Sequence, residues 1–177
     1  MDLSGDSLKV LREGAISSVD ILAAAKRKVV LFVCTGNSCR SVMAEALLKK
    51  KLLDQGRRDV EVISAGIVLM GGFGASYDTR QLLAREGIDV SGHLSQRVTR
   101  EMVKEADLIL VMERLHEEKI LQLAPEAKNR VYLLKEFAKI EDNTDLDITD
   151  PIGKTLEFYE QTFQVIKEAV ERVSQLI

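Results

Sequence analysis

Short apolar runs alternate with amphipathic stretches along most of this sequence. That alternation predicts an α/β fold: a three-layer sandwich with a four-stranded parallel sheet and helices on both faces. Length and composition agree. The chain has 177 residues, 46% hydrophobic and 30% charged. A chain of this size buries about 70% of its unfolded surface, and the composition is not that of a disordered protein. The longest purely apolar run, residues 29–34, is far too short to span a membrane. A net charge of −3 speaks against nucleic acid as the main partner. The first residues carry Asp2 and Asp6 and no apolar signal core, so a cytoplasmic protein is expected. Two cysteines, Cys34 and Cys39, make no disulfide framework.

The elements follow in order. Residues 1–27 read as an N-terminal extension, with a helix start at Ser17–Asp20 and a short helix over 21–27. Residues 28–177 read as the main domain. The run 29–33 is β-branched and aromatic, as expected of a strand buried on both faces. A polar loop follows, then a helix over 41–55 with Met43, Leu47 and Leu48 on one face and Gly56 as its stop. Residues 60–64 form a second strand, and 67–76 a glycine-rich surface loop. Helices are expected over 79–86 and 99–106, a third strand over 108–111, and a helix over 115–123 stopped at Pro125. Residues 131–133 give a fourth strand. An acidic stretch, 141–150, precedes the last helix. There Leu156, Tyr159, Phe163, Ile166, Val170 and Val173 step by three and four along one stripe.

The chemistry concentrates in Cys34-Thr35-Gly36-Asn37-Ser38-Cys39-Arg40-Ser41, between the first strand and the first helix of the domain. Ligands of open parallel sheets bind beyond the carboxyl ends of the strands. Gly36 and Asn37 tolerate unusual backbone angles, so the loop can turn successive N–H groups inward as an anion nest. The following helix adds free N–H groups and its positive dipole end. Arg40 supplies a planar fork for two phosphate oxygens. Cys34 lies beneath that site, where the positive field favours a thiolate nucleophile. A cysteine and an arginine six positions apart are weak evidence alone; the strand–loop–helix context carries the reading. Asp150 precedes Pro151 and is therefore held in extended backbone, able to project its carboxylate towards a site.

Residues 32–41, followed by Met43-Ala44-Glu45-Ala46-Leu47, resemble the opening of a low-molecular-weight protein tyrosine phosphatase. Ser64-Ala65-Gly66, the segment 106–112 and Asp150-Pro151 resemble later parts of the same family. The resemblance implies phosphoryl transfer in two steps without metal or organic cofactor. Cys34 would attack, Arg40 and the loop amides would hold the transferring oxygens, and Asp150 would protonate the leaving group and then activate water. Ser41 would donate to the thiolate, and Asn37 would hold the loop in shape. Cys39 would form a reversible disulfide with Cys34 under peroxide. The substrate would be a phosphorylated protein and the product inorganic phosphate. Val42 departs from the proline usual in the family. Ser38 stands where tyrosine phosphatases commonly have isoleucine, and Ile152 and Gly153 where they have tyrosines. Both changes resemble the protein-arginine phosphatase branch, which itself usually has threonine at the loop position and an aromatic residue after the proline; Ser38 and Ile152 are expected to line the substrate pocket.

Other readings are weaker. The loop also resembles that of thioredoxin-coupled arsenate reductases, but those need further cysteines, and none follows Cys39. A non-catalytic phosphate-binding module would normally lack the nucleophile or the acid. His93 and His116 are too far apart for a helical zinc pair, and the nest opposes a cation, so both are expected to be ordinary surface or hydrogen-bonded histidines. The stretch 9–17, within residues 2–17, resembles the end of a threonylcarbamoyl-adenylate synthase domain, as in a remnant of a fused gene.

Overall fold

The computed structural model describes residues 27–68, 72–140 and 145–177. The extension up to residue 26, with its expected helix, lies outside the described residues, as do parts of the glycine-rich loop and the acidic stretch.

Four parallel strands run β1 (Lys28–Cys34), β2 (Val60–Gly66), β3 (Leu108–Val111) and β4 (Val131–Leu133), in the spatial order β2-β1-β3-β4. Central β1 pairs with β2 on one side, Cys34 opposite Gly66, and with β3 on the other, Val33 opposite Val111. Alternation along β1 serves both faces. Val30, Phe32 and Cys34 enter one core, and Leu31 and Val33 enter the other. The first core is covered by α1 (Arg40–Asp54), α2 (Tyr77–Arg85), the one-turn α5 (Leu134–Phe137) and α6 (Leu156–Leu176). The second lies under α3 (Arg100–Glu105), α4 (Arg114–Leu123) and a 3-10 turn, Pro125–Arg130. The expected three-layer sandwich is the observed one.

Most elements fall within two residues of their expected bounds. β2 runs two residues further than expected, to Gly66, because Ala65 and Gly66 still pair with β1. Ser76 and Thr99 cap α2 and α3, each accepting a backbone N–H three residues on. The 3-10 turn and α5 were not expected, since neither is long enough to show a helical period. Leu156 is corrected: it is the first residue of α6 and half exposed, and the buried stripe begins one turn later at Tyr159.

Candidate active site

The loop between β1 and α1 leaves the carboxyl end of the central strand, where the strand order reverses. Asn37 organises it. This residue is fully buried with φ 51°, a left-handed conformation that asparagine tolerates. Its Oδ1 accepts the Gln96 N–H at 3.0 Å, which sets the amide's orientation. Nδ2 then donates to Ser41 Oγ at 3.0 Å and to Ser64 Oγ at 2.7 Å. Ser64 in turn donates to Glu45. His93 Nε2 donates to the Asn37 carbonyl at 2.8 Å. The loop lies directly over Gly66, where an added Cβ would sit 2.7 Å from the Thr35 carbonyl oxygen. Only glycine permits that approach.

Cys34 Sγ sits inside this frame, 2% exposed. The Asn37 N–H donates to it at 3.3 Å, and Ser41 Oγ lies 3.0 Å away. Because Ser41 Oγ already accepts from Asn37, its own proton is free for the sulfur.

Arg40 is 1% exposed and heavily engaged. Nη1 donates to Glu113 Oε2 and to the Ile148 carbonyl, both at 2.7 Å. Nη2 donates to Asp150 Oδ2 at 2.5 Å and to Thr35 Oγ1 at 3.2 Å. The buried Nε–H has no partner among the described residues. A buried unpartnered donor costs about 1–3 kcal/mol, so an incoming oxygen gains by meeting it. Nε and Nη2 together form the fork that a tetrahedral oxyanion takes.

Asp150 lies in the irregular segment before Pro151, as expected. Its Oδ1 accepts the Ile152 N–H at 3.1 Å, and the segment hangs from the end of β3 through the Ile148 N–H to the Met112 carbonyl at 2.7 Å. Ile152 stands next to it, 54% exposed. Cys39 Sγ is 3.2 Å from Ser76 Oγ and 3.5 Å from Tyr159 Oη. Burial first, and the bond to Cys39 next, push the Tyr159 hydroxyl up to about 12.

The structure thus brings Cys34, Thr35, Asn37, Arg40, Ser41 and Asp150 together. It also recruits residues the sequence reading did not assign: Glu45, Ser64, Gln96, Glu113 and both histidines. His116, expected as a surface or hydrogen-bonded histidine, is the hydrogen-bonded kind, fully buried against Thr35. A signal existed for Glu113, which stands just past the carboxyl end of β3. Glu45, Ser64 and Gln96 act through contacts 19 to 59 residues away in sequence, which no local pattern reveals.

A family model described as low molecular weight phosphotyrosine protein phosphatase matches residues 29–177. The chain belongs to that family. The Geobacillus stearothermophilus protein-arginine-phosphatase is 37% identical over 146 residues, 82% of this chain and 93% of that one. The probable low molecular weight protein-tyrosine-phosphatase EpsP of Ralstonia nicotianae is 38% identical over 144 residues, 81% of this chain and 92% of that one. Among solved structures, the YwlE arginine phosphatase in a cysteine-to-serine form with a phosphorylated active-site serine is 31% identical. It superposes with a TM-score of 0.76 over 84% of this chain and 94% of its own. This low-molecular-weight phosphatase is therefore a hydrolase of phosphorylated proteins, as the loop sequence implied. Among the described residues no helix is long and apolar enough to cross a membrane.

Proposed function

We propose that this phosphatase removes phosphoryl groups from proteins through Cys34, with phosphoarginine preferred over phosphotyrosine. The observation that carries the mechanism is a buried Cys34 sulfur that accepts the Asn37 N–H, on the same loop as Arg40, whose buried Nε–H has no partner among the described residues. The Cys34 thiolate attacks phosphorus, and a sulfur–phosphorus bond forms as the bond to the leaving nitrogen or oxygen breaks. Asp150 gives its proton to that leaving atom. Arg40 and the loop N–H groups hold the equatorial oxygens as charge redistributes among them. Asp150, now a carboxylate, takes a proton from water, and the water oxygen displaces the sulfur. Inorganic phosphate leaves and the thiolate returns, held by Ser41 and the Asn37 N–H. These steps use residues of this chain, the substrate and one water. Asp150 rests on Arg40 Nη2, so oxyanion binding must first release it towards the leaving group.

Cys39 is the redox partner in this reading. Both thiols are free and stand on one loop, so a sulfenic acid on Cys34 can condense with Cys39 and later be reduced. Such a thiol pair suits the reducing cytoplasm. Residues 28–177 make up the phosphatase domain and 1–27 an extension to it.

Two features support the lean to phosphoarginine. Ser38, part-exposed on the loop, can accept an N–H from a guanidinium leaving group, as isoleucine cannot. Ile152 and Gly153 offer no aromatic wall for a phenol ring. Of two relatives of similar identity, one is named a protein-arginine-phosphatase and the other a probable protein-tyrosine-phosphatase. The test compares kcat/KM on phosphoarginine and phosphotyrosine peptides for wild type and Ser38→Ile. Wild type is expected to favour phosphoarginine, and Ser38→Ile to move the ratio towards phosphotyrosine. A wild-type enzyme that favours phosphotyrosine by about tenfold or more refutes the preference.

A further inference from the structure

Thr35 and His116 meet at the edge of the phosphate site, and neither has a part in the mechanism above. Their hydrogen-bond directions can be worked out atom by atom. The Glu113 N–H donates to His116 Nδ1 at 3.0 Å. A backbone N–H only donates, so Nδ1 carries no proton. His116 is fully buried, and its pKa is lowered to about 4, by desolvation first and by the Arg40 charge next. The ring is neutral near pH 7, and its one proton is on Nε2.

Nε2 lies 3.0 Å from Thr35 Oγ1 and 3.5 Å from Glu113 Oε2. The shorter contact takes the proton, so Thr35 accepts from His116. Thr35 also accepts from Arg40 Nη2 at 3.2 Å. A hydroxyl has two acceptor lone pairs and one donor proton. Both lone pairs are thereby filled, and neither neighbour can accept the proton. Thr35 is only part-buried, and Arg40 Nη2, which donates to it, also donates to Asp150 Oδ2. A phosphoryl oxygen that takes the place of Asp150 is held by the same nitrogen as Thr35.

We propose that Thr35 is an oxyanion-binding residue of this phosphatase, donating its hydroxyl proton to the oxygen held by Arg40, and that buried His116 is the positioning residue that fixes the direction of that donation. The proposal rests on the phosphate-binding reading of the loop. It adds a side-chain donor to the loop amides and Arg40, at the position directly after the nucleophile.

The test measures binding of inorganic phosphate to the full chain by calorimetric titration at pH 7, with kcat and KM on a phosphopeptide alongside. Thr35→Val keeps the shape and removes the donor. It is expected to weaken phosphate binding about tenfold, the size of a hydrogen bond to a charged group. Thr35→Ser keeps the hydroxyl and is expected to stay within about threefold of wild type. His116→Leu should weaken phosphate binding in the same direction, and His116→Gln, whose amide can both accept and donate, should restore it. Nitrogen NMR of the His116 ring should find Nε2 protonated and Nδ1 bare. Thr35→Ala is the second hydroxyl-free variant should Thr35→Val not fold. The proposal is overturned if folded Thr35→Val or Thr35→Ala binds phosphate as wild type does. A proton on Nδ1, or loss in Thr35→Ser equal to that in Thr35→Val, overturns it too. A wild-type chain that binds no phosphate at all overturns instead the reading of the loop on which the proposal stands.

Discussion

Asp150 pairs with Arg40 at rest, and in the proposed mechanism the same carboxyl group handles protons during turnover. Asp150→Asn keeps the shape and removes both the charge and the transferable proton. Turnover of a substrate with a poor leaving group should fall about 10²–10⁴-fold. An aryl phosphate with a good leaving group needs little protonation and should lose far less. Equal losses on the two substrates would remove Asp150 from the acid role. His116 gives a prediction of a different kind. Its folded pKa of about 4 lies below the ordinary histidine value of 6.5. As pH falls, the unfolded chain takes up this proton before the folded chain does. The stability of the buried neutral ring is therefore complete above about pH 6.5 and is lost as pH falls from there towards 4, by on the order of 3 kcal/mol at most. Denaturant unfolding of wild type and His116→Gln at pH 7.5 and 4.5 isolates this effect. The gap between the two proteins should narrow at the lower pH, and an unchanged gap would contradict it.

At the scale of elements, the site is a strand end, a loop and a helix start held to neighbouring β2. Gly66 on β2 is the contact point, since its Cβ would meet Thr35 O at 2.7 Å and Asn37 N at 3.0 Å. Those are backbone atoms and cannot swing aside. Gly66→Ala should therefore push the loop off its seat, at about 1–3 kcal/mol of stability, with a fall in kcat/KM of tenfold or more. A variant with wild-type melting and turnover would mean that the loop yields without cost. What the sequence revealed of these elements follows from their physics. β1 and β3 are short apolar runs because both faces are covered, and α6 carries a long stripe, so all three were legible. The one-turn α5 was not, because four residues carry no period. Nor was the role of Gly66 as a seat for the loop, because the residue it must admit lies 31 positions earlier.

Seen whole, the molecule places the loop 34–41 at the reversal of a four-stranded parallel sheet, and four distant segments, at residues 64–66, 93–96, 113–116 and 148–150, close on it. The loop 34–41 was legible because the proposed nucleophile Cys34, Gly36, Asn37 and Arg40 are contiguous, and Asp150 because proline marks it. The buried frame of Glu45, Ser64, Gln96, Glu113 and His116 was not, because it exists only once β2, β3 and α4 are in place. The central claim is that the phosphoryl group passes through Cys34. It is tested most directly by acid-quenching the enzyme during turnover of a phosphopeptide and locating bound phosphate by mass spectrometry. Asp150→Asn serves to slow hydrolysis of the intermediate, and Cys39→Ser resolves the two thiols. The expected result is a phosphate adduct on Cys34 in Cys39→Ser and in Asp150→Asn. Cys34→Ser should show no turnover while still binding inorganic phosphate. Turnover in Cys34→Ser within tenfold of wild type, or an adduct found on another residue, would contradict the account.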